Sequence, residues 1–164
     1  MSFNISVMRT FLFLSFILIY ATVSAQEEKD TVYKRCPIFI TDTITSNNFF
    51  IEGMPATVSV DRSKGNLTIT VRQKEQFFTI FFMDKKLKEG KYAIKINPGR
   101  KDVFAKYSFR SGDQVSYVNV SSGVVIASYN DEKSLWDLKL TGLIANLVGR
   151  SVTYYKAAAH LYFK

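Results

Sequence analysis

The stretch Asn66-Leu67-Thr68-Ile69-Thr70-Val71-Arg72 alternates apolar and polar residues without a break. A period of two puts Leu67, Ile69 and Val71 on one face and Asn66, Thr68, Thr70 and Arg72 on the other, the signature of a half-buried β-strand. Gln76–Met83 follows with a dense run, Phe-Phe-Thr-Ile-Phe-Phe, suited to a strand buried centrally or covered on both faces. After the lysine-rich connection 84–90 the alternation resumes over Lys91–Asn97. There Tyr92, Ile94 and Ile96 are expected inward, and Lys95 and Asn97 outward.

The same pattern extends in both directions. Further strands are expected at Ile38–Ile44, Ala56–Val60, Val103–Phe109, Val115–Val120, Val124–Tyr129, Leu135–Leu140, Ser151–Tyr155 and Ala158–Phe163. The one candidate for a helical turn is Leu143–Leu147. Short strands at this spacing, punctuated by Gly, Asn and Ser, predict an all-β sandwich or flattened barrel. We expect one domain over 38–164, preceded by a loose polar leader over 26–37.

The N-terminus reads as a secretory signal. Arg9 is the one charged residue of Met1–Arg9, Thr10–Val23 is apolar, and Val23-Ser24-Ala25 offers the small residues of a cleavage site. Cleavage after residue 25 predicts a mature, secreted chain beginning at Gln26. No later stretch approaches the roughly 20 apolar residues of a spanning helix, so no transmembrane anchor is expected. Secretion gives meaning to the sequons at Asn66 and Asn119, expected to carry glycans. Cys36, the single cysteine, cannot form an internal disulfide; it is either a buried thiol or a bridge between two chains, leaving monomer or Cys36-linked dimer open.

The chain carries a net charge of +8, and removing residues 1–25 takes Arg9 and no acid. Residues 84–110 hold nine bases against three acids. Lys91, Lys95, Arg100, Lys101, Lys106 and Arg110 are the candidates for a face that binds a sulfated glycan or another anionic surface. The alternative is a solvated face that keeps the protein soluble. No aromatic ladder is interleaved with these bases, and the secretory route argues against nucleic acid.

Three segments resemble the copper–zinc superoxide dismutases. Lys64–Asn97 is similar to their early strands and includes Leu87-Lys-Glu-Gly90 before a strand ending Lys95-Ile96-Asn97. Ser111-Gly112-Asp113 resembles their glycine–aspartate element, and Leu147-Val-Gly-Arg-Ser-Val-Thr-Tyr-Tyr155 a strand that closes on a copper ligand. The resemblance implies a Greek-key topology. It also implies that Lys95, Asn97, Arg110, Asp113 and Tyr155 stand at former ligand positions. Four of the five hold residues other than the family's ligands. A nitrogen-held copper–zinc pair needs several imidazoles, and His160 is the single histidine. The resemblance thus implies a catalytically inactive member without a metal cofactor, acting as an extracellular binding module. Two alternatives stay open: a metalloprotein recruiting an ion through Asp113, Tyr155 and His160, and a carrier of apolar ligands whose phenylalanines at 77, 78, 81 and 82 line a cavity.

Overall fold

The computed structural model describes residues 31–33, 36–47, 56–148 and 150–164. They form ten strands and a single 3₁₀ turn at Ser63–Gly65. In chain order these are β1 (Thr31–Tyr33), β2 (Ile38–Asp42), β3 (Ala56–Asp61), β4 (Leu67–Gln73), β5 (Gln76–Phe82), β6 (Gly90–Ile94), β7 (Asp102–Ser111), β8 (Gln114–Asn130), β9 (Leu135–Val148) and β10 (Ser151–Phe163). The protein is all-β. Among the described residues no helix is long and apolar enough to cross a membrane.

All ten strands belong to one sheet ordered β1-β3-β4-β5-β7-β6-β8-β9-β10-β2, with β7 also paired to β8. From β3 to β10 the sheet follows chain order except that β7 stands between β5 and β6, and every pairing is antiparallel except β6 with β7. Apart from that exchange the order is up-and-down. The Greek-key arrangement implied by the resemblance, in which a fourth strand returns beside the first, is not the order of the described strands.

The sheet must curl. β1 and β2 occupy its opposite edges, yet Tyr33 and Ile38 are five peptide steps apart, a span of at most about 18 Å. A flat sheet of this width would separate its edges by about 40 Å. Ile38 and Ile40 of β2 therefore pack in the same core as Ala56, Val58 and Val60 of β3. Together β1 and β2 act as two halves of one stave, the first paired to β3 and the second to β10. With β3, β4, β5, β7, β8, β9 and β10 they make eight staves. No described pairing joins β1 to β2, so the wall is a curled half-barrel with the core in its hollow.

The inward rows are those the alternation marks: Leu67, Ile69 and Val71 on β4, Phe78, Ile80 and Phe82 on β5, and Leu138, Leu140 and Ile144 on β9, all buried. β8 shows how a 17-residue strand serves two partners. Its first part pairs with β7 up to Asn119, and its second pairs with β6 from Gly123. Between them the register against β9 slips from Val120↔Ile144 to Ser122↔Leu143, a β-bulge that leaves Ser121 as the extra residue. The slip switches the inward row from even positions (Val120) to odd ones (Val125, Ala127). At the bend Gly123 faces Gly142, and Ile94 of β6 packs into the gap.

Three expectations change. The polar leader over 26–37 contributes β1, and Cys36 lies in the core, so the fold begins before residue 38. Leu143–Leu147 is part of β9 rather than a helical turn, because its residues continue the ladder with Val152–Lys156. β6 ends at Ile94, so the alternation beyond it loses its meaning and Ile96 is exposed.

Candidate ligand-binding site

One end of the barrel is filled by large side chains, among them Phe82, Leu138, Leu161 and Phe163. The other end is open, and a cavity of about 600 Å³ lies inside its mouth. That volume falls within the usual range of small-molecule sites. Its apolar wall is drawn from five strands: Ile40 of β2, Tyr107 and Phe109 of β7, Val118 of β8, Ile144 of β9 and Tyr155 of β10. Tyr107, Phe109, Val118 and Tyr155 are inward positions beyond the buried core, to which Ile40 and Ile144 still belong. Space opens because residues just beneath are small, with Ala157 registered between Ile40 and Gly142.

The polar part of the lining is asymmetric. Lys74 and Glu75 come from the β4–β5 turn, Gln76 from the start of β5, Arg110 from the end of β7 and Asn146 from β9. The Arg110 backbone N–H donates to the Glu75 carbonyl at 2.8 Å, which ties the turn to β7. The Glu75 carboxylate stands 3.9 Å from the Arg72 guanidinium, a surface pair of little strength. Two cations, Lys74 and Arg110, thus face the mouth against a single acid. Next to this group Gln73 is buried on the inward row of β4, and its Oε1 accepts no hydrogen bond among the described residues. Burial raises the Tyr107 hydroxyl above its ordinary pKa, and its ring stacks on Phe109 with centroids 6.0 Å apart. An apolar chamber with cations at its rim suits a molecule with an apolar body and an anionic head.

The five former-ligand positions do not converge. Lys95 follows β6 and its Nζ sits 3.0 Å from Asp102, while Asn97 lies in the loop beyond. Arg110 is eight residues along β7 from Asp102, about 26 Å away. It shares the mouth with Tyr155, and Asp113 caps the β7–β8 turn. The Asp113, Tyr155 and His160 set is also dispersed. Tyr155 and His160 are separated by five residues of β10, about 17 Å, and lie on opposite faces of the strand. His160 Nε2 instead meets Asp137 Oδ1 at 2.8 Å, with its ring against Tyr162. Among the described residues no three His, Cys, Asp or Glu side chains group as metal ligands.

The basic candidates divide between the two ends. Lys91, Arg100 and Lys101 join Lys86 and Lys88 around a cleft of about 470 Å³ at the filled end. Its acids are engaged by backbone amides: Asp84 accepts from Lys86 N–H at 3.0 Å, and Glu89 from Tyr129 N–H at 2.8 Å. Lys95 is neutralised by Asp102. Lys106 lies on the outer face of β7 with its ammonium 5.8 Å from the Tyr117 ring centre, and Arg110 is at the mouth. A single continuous face over 91–110 is therefore not formed.

Asn66 is half-buried just before β4. Asn119 sits on the outer row of β8 opposite Lys106, with its Oδ1 enclosed and without a hydrogen-bond partner among the described residues. Cys36 is buried, and desolvation pushes its thiol pKa up against a smaller downward pull from a backbone hydrogen bond at Tyr162. Burial of this kind fits the packed thiol of the two alternatives. Of the four phenylalanines, Phe78 and Phe82 fill the core, and Phe77 and Phe81 are half-buried on the outer face. None of them lines the cavity. The wall residues follow the same inward pattern as the core, and nothing in their spacing marks where the filling stops.

No family model, no curated protein and no solved structure matches this chain.

Proposed function

We propose that the protein is a secreted, non-enzymatic carrier of an amphiphilic small molecule, held with its apolar body in the barrel and its anionic head at the mouth. The observation that carries this reading is the apolar cavity at one end of a barrel whose other end is packed solid. Tyr107, Phe109, Val118 and Tyr155 supply apolar surface, and burial of such surface contributes about 25 cal/mol per Å². Lys74 and Arg110 supply charge-assisted hydrogen bonds to a carboxylate or sulfonate. The reading draws on no chemistry of the superoxide dismutases, and no residue is assigned a catalytic role.

The test is a fluorescence titration with cis-parinaric acid, together with mass spectrometry of an organic extract of the purified protein. Saturable binding is expected, and Val118→Trp, which fills the chamber, should weaken it by about tenfold or more while the far-ultraviolet dichroism stays unchanged. Binding that is absent, or indifferent to Val118→Trp, rejects the carrier.

A second reading has its own observation. Five cations around the cleft of Lys86, Lys88, Lys91, Arg100 and Lys101, beside acids already engaged, favour a sulfated glycan or similar anionic surface there. Retention on heparin should vanish with salt and weaken on the double change Lys91→Glu and Arg100→Glu. It should be indifferent to Arg110→Glu at the opposite end; equal sensitivity at both ends would reject a localised cleft.

A further inference from the structure

A patch of exposed apolar side chains stands on the outer wall beside the cavity mouth. Leu147 of β9 is 68% exposed and registers directly across from Val152 of β10, 49% exposed. Tyr154, 47% exposed, is the next outward residue on β10. Ile44, 87% exposed, completes the patch from the turn after β2.

That turn is firmly built. Asp42 Oδ1 accepts from the Ile44 and Thr45 N–H groups at 2.7 and 2.9 Å. Ser46 N–H returns to the Asp42 carbonyl at 3.0 Å. Thr43 donates twice to the Tyr154 carbonyl, through its N–H at 3.2 Å and its hydroxyl at 3.0 Å. An isoleucine held almost wholly in water by five hydrogen bonds contributes nothing to the core. Clusters of this kind mark surfaces that meet another apolar phase.

The charges around the patch select the occupant. Arg150 at the β9–β10 turn and Lys156 two residues beyond Tyr154 are both exposed. Lys74 and Arg110 stand at the adjoining mouth. A second copy docking through the same surface would set Arg150 and Lys156 against their own likenesses, since a two-fold contact apposes identical patches. A surface of anionic lipid satisfies both features at once, taking the apolar side chains below its headgroups and pairing the cations with its phosphates.

We infer that this face docks the barrel, mouth first, on an anionic lipid bilayer, from which the amphiphile passes into the cavity. The inference rests on the carrier reading for its purpose but not for its geometry. The test is co-flotation with phosphatidylcholine vesicles, with and without phosphatidylglycerol, in low and high salt. The wild type should float with the anionic vesicles and release in high salt. The double change Ile44→Ser and Leu147→Ser should lower partitioning by about tenfold or more, and Arg150→Glu should lower it similarly. Ile126→Ser, an exposed apolar site on β8 far from the mouth, should leave it unchanged. Each variant is also titrated with cis-parinaric acid in solution. Retained uptake shows that the variant is folded. Wild type that ignores anionic vesicles, or a double variant that partitions as wild type does, overturns the docking face. Patch-dependent partitioning without parinaric acid uptake keeps the docking face and removes the carrier.

Discussion

Replacing Gly123 by alanine should be among the most damaging single-methyl changes available to this protein. A Cβ built there falls 2.2 Å from the Thr141 carbonyl oxygen and 2.5 Å from the Gly142 Cα, both backbone atoms of the neighbouring strand. No rotamer relieves such a contact, so β8 and β9 must separate at the bend where Ile94 packs in. The backbone at Gly123 also has φ near +144°, a conformation side chains rarely adopt. Backbone strain of this kind costs about 1–3 kcal/mol, and overpacking a further 1–3 kcal/mol. A loss of about 2–6 kcal/mol is large against the 5–15 kcal/mol typical of folded domains. In a chain of 164 residues it lowers the melting temperature by roughly 5–20 °C. Gly112→Ala provides the comparison. Its φ of +58° is equally left-handed, but no heavy atom lies within 4 Å of the added methyl. Strain alone of about 1 kcal/mol is expected there, or roughly 2–4 °C. Thermal melts followed by circular dichroism, with urea titrations alongside, measure both. A Gly123→Ala loss no greater than that of Gly112→Ala would refute the close approach of the two strands.

Phe78 is fully buried on β5, and Phe78→Ala should lose about 3–5 kcal/mol in urea unfolding through the cavity it leaves. Cys36 should resist Ellman's reagent at pH 8 in the native state, react once urea unfolds the chain, and run as a monomer without reductant; rapid native labelling would contradict its burial. Asp102 is held below the ordinary carboxylate pKa first by the hydrogen bond from Lys95 and then by the Gly99 N–H. A carboxyl lowered on folding adds stability that is complete above its unfolded value of about 3.9 and is lost as pH falls through the lower folded value. Its contribution therefore disappears only below about pH 4. Carbon-detected titration should show the Asp102 midpoint moving up in Lys95→Ala, and an unchanged midpoint would discount the contact.

Period-two alternation made the walls of this fold readable from residues alone. Leu67, Ile69 and Val71 point inward as their spacing demands, and strands expected at 56–60, 66–72, 76–83 and 103–109 lie within a residue or two of those observed at β3, β4, β5 and β7. Pairing order was not readable, because alternation fixes faces and leaves neighbours open. β8 was expected as two strands, 115–120 and 124–129, because the bulge at Ser121 interrupts the phase; the chain runs through it without a turn. β1, only Thr-Val-Tyr, was concealed by the charged residues on either side of it, which read as a loose leader. The site was the least legible part. Arg110 and Tyr155 were singled out for ligand positions in another family and are instead neighbours at the mouth of a cavity. Tyr107, Val118 and Ile144 carried no mark distinguishing them from core, since a cavity is made by what fails to fill it.

The split stave has a consequence for how the molecule is made. Among the described strands β2 pairs with β10 alone, a strand of 13 residues, with Asp42 waiting for Tyr155 more than a hundred positions downstream. Until the ribosome delivers that segment, the early strand has nowhere to dock and the hoop stays unfastened. Such distant registration slows folding, and a nascent chain stalled before β10 offers raw strand margins to others like it. The last strand in chain order is thus the clasp, and trimming it should leave an adhesive intermediate rather than a smaller barrel.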